Sequence, residues 1–236
     1  MTRRRWIADK VSGNRAFLVG AHADHLVRVL RARVGQEFDI STGSEVRRGR
    51  LTAISPDQVE FELGEQIPVS PNVQVTLLLS IFKFDRMEWA IEKCTELGVA
   101  RIVPVIARRS EAHLASAAAK RVERWRRIVL QAAEQSRRSL VPEVFQPLKL
   151  KEALMLPGGM RIVLSEFETE VKLKDLLQSP SGGEVVIALG PEGGWTNEEL
   201  TVFREAGWIS ASVGGTILRT ETAAIAAMAV VQSELF

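Results

Sequence analysis

The chain of 236 residues holds a single cysteine, Cys94. One cysteine excludes a disulfide within the chain and leaves a cysteine-based metal site without partners. Cys94 lies in Lys93-Cys94-Thr95-Glu96-Leu97, on the apolar face of an expected helix. A packed core thiol is the plain reading there and a nucleophile the sharper one. Histidines number three, and neither His22 nor His113 stands at metal-ligand spacing from another ligand, so no metal is expected. No run reaches the roughly 18 apolar residues of a membrane span. The opening Met1-Thr2-Arg3-Arg4-Arg5-Trp6 is basic, but no apolar stretch follows it as in a secretory signal. A cytoplasmic protein without a membrane partner is the expectation. Internal repeats and low-complexity tracts are missing as well.

What is present is core-forming material and unevenly placed charge. Hydrophobic residues make up 46% of the chain, which excludes global disorder. The net charge is only +2, yet residues 1–50 hold eleven Lys/Arg against five Asp/Glu, while residues 51–70 hold four acids and no base. Positive charge gathered at one end suits a polyanion; a solubilising surface is the bland alternative.

Hydrophobic patterning divides the chain. Residues 1–70 read as short strands and turns, with strands at Arg15–Val19, Glu37–Ile40 and Val59–Leu63, a turn at Thr42-Gly43-Ser44 and a short helix from Ala23 to Leu30. Short strands closing on themselves make a small β-barrel. Pro68-Val69-Ser70-Pro71-Asn72 reads as a linker. The rhythm then changes. A strand over Val73–Phe82 leads to a helix capped by Asp85, whose stripe is Met87, Ala90, Ile91, Cys94 and Leu97 and whose end is Gly98. Val99–Ala107 is a second buried strand, and a long helix runs from Ala115 to Arg138. Further strands are expected at Arg161–Ser165, Val185–Gly190 and Trp208–Val213, and helices at Thr196–Ala206 and Thr222–Leu235. Apolar strands alternating with helices give an α/β fold on a parallel sheet.

In such sheets ligands bind in the loops beyond the carboxyl ends of the strands. Two of those loops are chemically unusual. Leu189-Gly190-Pro191-Glu192-Gly193-Gly194-Trp195-Thr196 has three glycines and leads into a Thr196/Glu199 capping box. It lacks the Gly-Lys-Ser/Thr ending of a P-loop and the Gly-x-Gly-x-x-Gly of a dinucleotide fingerprint, so a nucleotide-like ligand without a triphosphate fits it better. Val213-Gly214-Gly215-Thr216-Ile217-Leu218-Arg219-Thr220-Glu221-Thr222-Ala223 precedes an apolar C-terminal helix. Arg219 and Glu221 read either as an ion pair closing that helix or as a charged pair over a ligand.

These loops, with Lys83-Phe84-Asp85-Arg86-Met87-Glu88, Lys93–Val99, Ile102-Val103-Pro104, Arg108-Arg109-Ser110, Glu123-Arg124-Trp125, Ala132–Arg138, Val141-Pro142 and the N-terminal His25–Arg31, occur in an order and spacing that is highly specific. Together they resemble the SPOUT superfamily, and within it the RsmE-type 16S rRNA uridine N3-methyltransferases, over nearly the whole chain. The resemblance implies a PUA-like RNA-binding barrel over residues 1–70 and a SPOUT methyltransferase domain over 73–236 with a deep trefoil knot. It implies a homodimer acting on 16S rRNA or the 30S subunit. S-adenosyl-L-methionine is its implied donor, held by Leu164, Ser165, Glu166, Leu189, Gly190, Pro191, Glu192, Gly193, Val213, Gly214, Ile217, Leu218, Thr222 and Ala223. Arg219 and Glu221 are then the catalytic pair. Arg219 stabilises charge developing on the uracil carbonyls, and Glu221 or Glu192 takes the N3 proton or orients Arg219. Arg3, Arg4, Arg5, His25, Arg28, Arg31, Arg137 and Arg138 are the expected grips on RNA phosphates, each also readable as a solvated charge. One departure stands out: Gly215-Thr216 occupies the place where the family carries a larger, often basic residue before Ile217-Leu218-Arg219. The rival activities are 2′-O-ribose methylation by another SPOUT enzyme and non-catalytic RNA binding in ribosome assembly.

Overall fold

A computed structural model describes residues 5–43, 45–67, 73–136, 138, 140–178 and 183–235. The expected linker at 68–72 and the RNA-binding candidates Arg3, Arg4 and Arg137 lie outside the described residues. The chain divides into two compact units, Met1–Pro71 with Ala133–Val141, and Asn72–Ala132 with Pro142–Phe236.

The first unit is a six-stranded sheet. Its elements are β1 (Arg5–Ile7), β2 (Lys10–Ser12), β3 (Arg15–Val19), α1 (Ala21–Asp24) continued by a π-helical turn (His25–Val29), β4 (Glu37–Ser41), β5 (Val46–Ile54) and β6 (Gln58–Ile67). Strand order is β1-β4-β5-β6-β3-β2, antiparallel except for β1 beside β4. Register shifts at Arg47/Gly49 and Leu51/Ala53 interrupt the β5–β6 ladder, and such irregularities bend and twist a sheet. Ala16, Leu18, Ile40, Leu51, Val59 and Phe61 fill the concave side, each fully buried. The helix expected from Ala23 starts at Ala21 and ends before Arg31, whose φ of 53° breaks it. Within this unit His22 lies between two carboxylates, its Nδ1 2.9 Å from Asp9 Oδ1 and its Nε2 3.0 Å from Glu134 Oε1. Burial pushes the Glu134 carboxyl up, and the nearby His22 pulls it back.

The second unit is a parallel sheet covered on both faces. It contains β7 (Gln74–Ser80), α2 (Phe84–Glu96), β8 (Arg101–Ile106), α3 (Ala112–Ala117), a 3₁₀ turn (Ala118–Arg121) and α4 (Val122–Gln135), whose residues from Ala133 on belong to the first unit. After these come β9 (Glu143–Val144), β10 (Leu148–Lys149), α5 (Leu150–Ala153), β11 (Met160–Leu164) and α6 (Leu173–Leu177), then β12 (Glu184–Leu189), α7 (Asn197–Glu205), β13 (Ile209–Ala211) and α8 (Thr220–Leu235). The order is β10-β8-β7-β12-β11-β13, every pair parallel, with β9 also on β8. Alternation along β7 explains the two layers. Leu77 and Leu79 join α2, α4 and α8 in one core, while Leu78 faces the opposite core with Trp195, Phe203 and Trp208. Burying each such aliphatic side chain is worth roughly 1.5–3 kcal/mol.

The α2 stripe is as its spacing predicts: Met87, Ala90, Ile91 and Cys94 are buried, and Gly98 at φ 97° ends the helix. Burial pushes the Cys94 thiol up to about 12, so this sulfur is a core group and not a nucleophile. Asp85 does not cap α2. The cap position is Lys83, and Asp85 sits in the first turn, where a carboxylate meets the positive end of the helix dipole. The long helix expected from Ala115 to Arg138 is interrupted by the 3₁₀ turn and ends at Gln135. Ala118 and Val122, four residues apart, both enter the core.

Candidate active site

Three loops follow β11, β12 and β13 at the carboxyl end of the sheet, and they surround a cavity of about 390 Å³. Leu164, Ser165 and Glu166 line it from the first loop, and Leu189, Gly190 and Pro191 from the second. Val213, Gly214, Ile217 and Leu218 line it from the third, and Ala223 from the first turn of α8. The fold thus brings together residues that are far apart in the chain and that the sequence places in one site.

The second loop is held from every side. Trp195 is buried and donates from its indole Nε1 to Leu164 O at 3.2 Å, tying this loop to the end of β11. Its ring meets Phe203 edge-on at 4.8 Å. Arg109 donates to Gly193 O at 2.6 Å. Thr196 and Glu199 form the expected capping box of α7, and Glu199 also accepts the Arg108 backbone N–H at 2.7 Å. A Cβ at Gly190 would stand 3.3 Å from the Trp195 backbone N and indole N, so glycine allows the close approach. Gly194 adopts φ +67°, and a Cβ there would stand 2.8 Å from Glu166 Oε1.

Three expected donor-binding residues do not line the cavity. Glu192 accepts from Arg86 at 2.8 Å, Gly193 is held on Arg109, and Thr222 is exposed on a different hollow with Trp89 and Ile225. Arg219 is exposed and does not line the cavity either, although its neighbours Leu218 and Thr220 do. Glu221 is 5% exposed, with Oε1 3.8 Å from Arg86 Nε.

Conversely, the structure adds lining residues that the sequence reading left out. Phe167, Glu168, Thr169 and Lys172 form one wall, and Trp195 and Ser212 contribute to others. Lys172 Nζ donates to Ser212 Oγ at 3.1 Å, joining the first loop to the third. Glu168 accepts backbone N–H groups of Val171 and Glu170, and these bonds hold its carboxyl below the usual range. The rule that ligands sit beyond strand ends applied equally to the loop after β11, but that loop carries no glycine signature to draw attention to it.

Among the expected RNA grips, Arg28 and Arg31 are exposed, with Arg28 paired to Asp24 at 3.2 Å. His25 is exposed and stacks obliquely on Trp6, with ring centroids 5.8 Å apart. Arg5 belongs to β1 and is half-buried, as is Arg138, whose guanidinium burial pushes down to about 10. Among the described residues, no group of three or more His, Cys, Asp or Glu side chains is placed to hold a metal, and no helix is long and apolar enough to cross a membrane.

Residues 69–232 match the RNA methyltransferase domain family, and residues 20–64 match the RNA methyltransferase PUA domain. The ribosomal RNA small subunit methyltransferase E of Aquifex aeolicus is 30% identical over 228 residues, covering 96% of this chain and 97% of that protein. The protein of the same name from Bacillus subtilis is also 30% identical, over 92% of this chain and 90% of its own. A crystal structure of the Neisseria gonorrhoeae protein of that name, bound to S-adenosyl methionine, superposes with a TM-score of 0.83 at 34% identity over 98% of both chains.

Proposed function

The chain belongs to the ribosomal RNA small subunit methyltransferase E family, and from that premise we propose that it methylates N3 of a uridine in 16S rRNA, using S-adenosyl-L-methionine. It is an S-adenosylmethionine-dependent methyltransferase of small-subunit ribosomal RNA. The observation that carries the proposal is the cavity at the carboxyl ends of β11, β12 and β13. Its contents fit the donor. Leu164, Leu189, Ile217 and Leu218 offer apolar walls to an adenine ring, and Ser165, Glu166 and Lys172 offer polar partners to a ribose and an amino-acid tail. When bound, the donor supplies an electrophilic methyl group on a sulfonium.

The remaining chemistry falls to the protein. Uridine N3 carries a proton that leaves as the N–CH3 bond forms and the S–CH3 bond breaks. Until that N–CH3 bond is complete, loss of the proton to solvent leaves negative charge spread over the flanking carbonyl oxygens. Arg219, exposed between two lining residues, is the donor proposed to meet that charge, and Glu221 stands two residues on. The target edge is the Watson–Crick edge, so the uridine must be unpaired. Arg28, Arg31 and His25 of the first unit are the proposed phosphate contacts.

The residue 1–70 domain as a PUA-like barrel, the trefoil knot and the homodimer belong to the same proposal. Support for the knot is the strand order β12-β11-β13, in which the chain leaving β12 passes β11 to reach its far edge. Support for the dimer is an apolar hollow on α2 and α8 formed by Trp89, Leu97 and Ile225, with Trp89 49% exposed. Ala224, Ala227, Met228 and Val231 of α8 are core of this chain instead.

Nucleoside mass spectrometry of 16S rRNA incubated with the purified protein and donor tests the proposal. The expected product is 3-methyluridine. A ribose-methylated nucleoside in its place transfers the chain to the rival activity, and no methylated nucleoside removes the catalytic reading.

A further inference from the structure

The segment Lys83–Glu88 carries charges that the reaction as proposed leaves unused. Glu88 accepts from Arg124 at 2.7 Å and fastens α2 to α4. Arg86, in the first turn of α2, does something different. Its Nη1 donates to Glu192 Oε1 at 2.8 Å, and its Nε lies 3.8 Å from Glu221 Oε1. Glu192 sits in the loop after β12, and Glu221 in the first turn of α8, two residues beyond Arg219. One guanidinium therefore reaches the loop after β12 and the helix start that follows the loop after β13, from outside the cavity.

Neither carboxylate lines the cavity. A general base has to come within hydrogen-bond reach of the proton it takes, and both acids are committed to Arg86. Glu221 is also buried, and its Oε2 has no hydrogen-bond partner among the described residues. A carboxylate in that setting depends on its cation, because losing one partner of a buried pair leaves the other uncompensated. Arginine suits the task, since its planar fork can serve two acceptors at fixed angles where an ammonium is a point charge.

We propose that Arg86 is a positioning residue for methyl transfer: through Glu192 and Glu221 it clamps the glycine-rich loop to the arginine-bearing loop, and neither glutamate is the proton acceptor. The clamp rests on the methyltransferase reading. It fixes the helix start next to Arg219, while the apolar walls at Leu164 and Leu189 are set by the ends of β11 and β12. Loss of Arg86 therefore acts on turnover more than on donor binding.

The test measures kcat and KM on ribosomal RNA, donor Kd by calorimetry and Tm for the full chain and its variants. Arg86→Met is expected to lower kcat about 10- to 100-fold, as misplacement of a reacting group by an ångström does, with donor Kd changed by less than about threefold. Arg86→Lys recovers part of that loss. Glu192→Gln, at a carboxylate 31% exposed, lowers kcat several-fold at unchanged Tm and serves if Arg86→Met does not fold. In the Arg86→Met background, Glu192→Gln adds nothing, because the pair acts as one unit. Wild-type kcat in Glu192→Gln, multiplicative losses in the double variant, or a rise in donor Kd that parallels a fall in kcat and Tm each overturn the clamp. A wild-type protein that neither binds donor nor methylates RNA overturns the methyltransferase reading itself. An active wild type with fully active Arg86 and Glu192 variants removes the clamp alone.

Discussion

The loop after β12 and the loop after β13 wall the same cavity and are built in opposite ways. Residues 190–196 are tied by an indole N–H to β11, by Arg109 to a carbonyl, by a capping box to α7 and by Arg86 through Glu192. Residues 213–218 have none of this. No backbone N–H among them meets an acceptor among the described residues, a Cβ added at Gly214 or Gly215 touches nothing within 4 Å, and Ile217 is 83% exposed. A loop with many internal bonds is preformed, whereas an exposed loop with few internal bonds and apolar side chains in water is held weakly. The contrast teaches that the cavity proposed to take the donor has one preformed wall and one open wall. Ordering of the open wall on donor binding is the expected outcome, and Arg219 directly follows that wall in the chain.

The largest effect expected from this contrast is catalytic. Arg219→Ala lowers kcat roughly 100- to 1000-fold while the donor Kd stays near wild type, measured by methyl incorporation into ribosomal RNA and by calorimetry. A kcat near wild type removes Arg219 from the reaction. Next comes hydrogen exchange. With donor at 100 times its Kd, the amides of residues 213–218 slow by up to about 100-fold, while those of Gly194 and Thr196, already bonded to Pro191 and Glu199, change much less. Equal protection of both loops breaks the comparison. Smaller effects come from the glycines. Gly194→Ala forces a Cβ into a φ of +67° and against Glu166, a strain of about 1–2 kcal/mol that weakens donor binding about tenfold. Gly215→Ala meets open space at an ordinary φ. It is expected to tighten donor binding about twofold, by reducing the freedom lost on ordering. If Gly215→Ala proves the more damaging of the two, the assignment of rigid and open walls is reversed.

Where local periodicity carries the information, the structure could be read in advance. The α2 stripe, the buried β7 and β8 and the Thr196/Glu199 cap all follow from spacing of a few residues. β5 shows where that reading stops. Val46-Arg47-Arg48-Gly49-Arg50 has the composition of a loop, yet it is a strand, and Gly49 is there because a Cβ would fall 2.3 Å from Ile40 Cγ1 on β4. That requirement belongs to the neighbouring strand and leaves no mark in the local pattern. Beyond Ser165 and Glu166, the part of the loop after β11 that walls the cavity was not legible for a related reason: Phe167, Glu168 and Lys172 become cavity wall only because β13 places Ser212 beside Lys172.

The order of elements, the amphipathic faces and the two unusual loops were determined by the sequence alone, because hydrophobic burial and capping act between residues a turn or a pleat apart. Which charged groups face the cavity and which are spent on one another was decided by the tertiary structure. Arg86 and Glu192 are 106 residues apart and meet at 2.8 Å, an encounter set by the packing of α2 beside two strand ends. Charge has no period to read, and its partner is whatever the fold brings near.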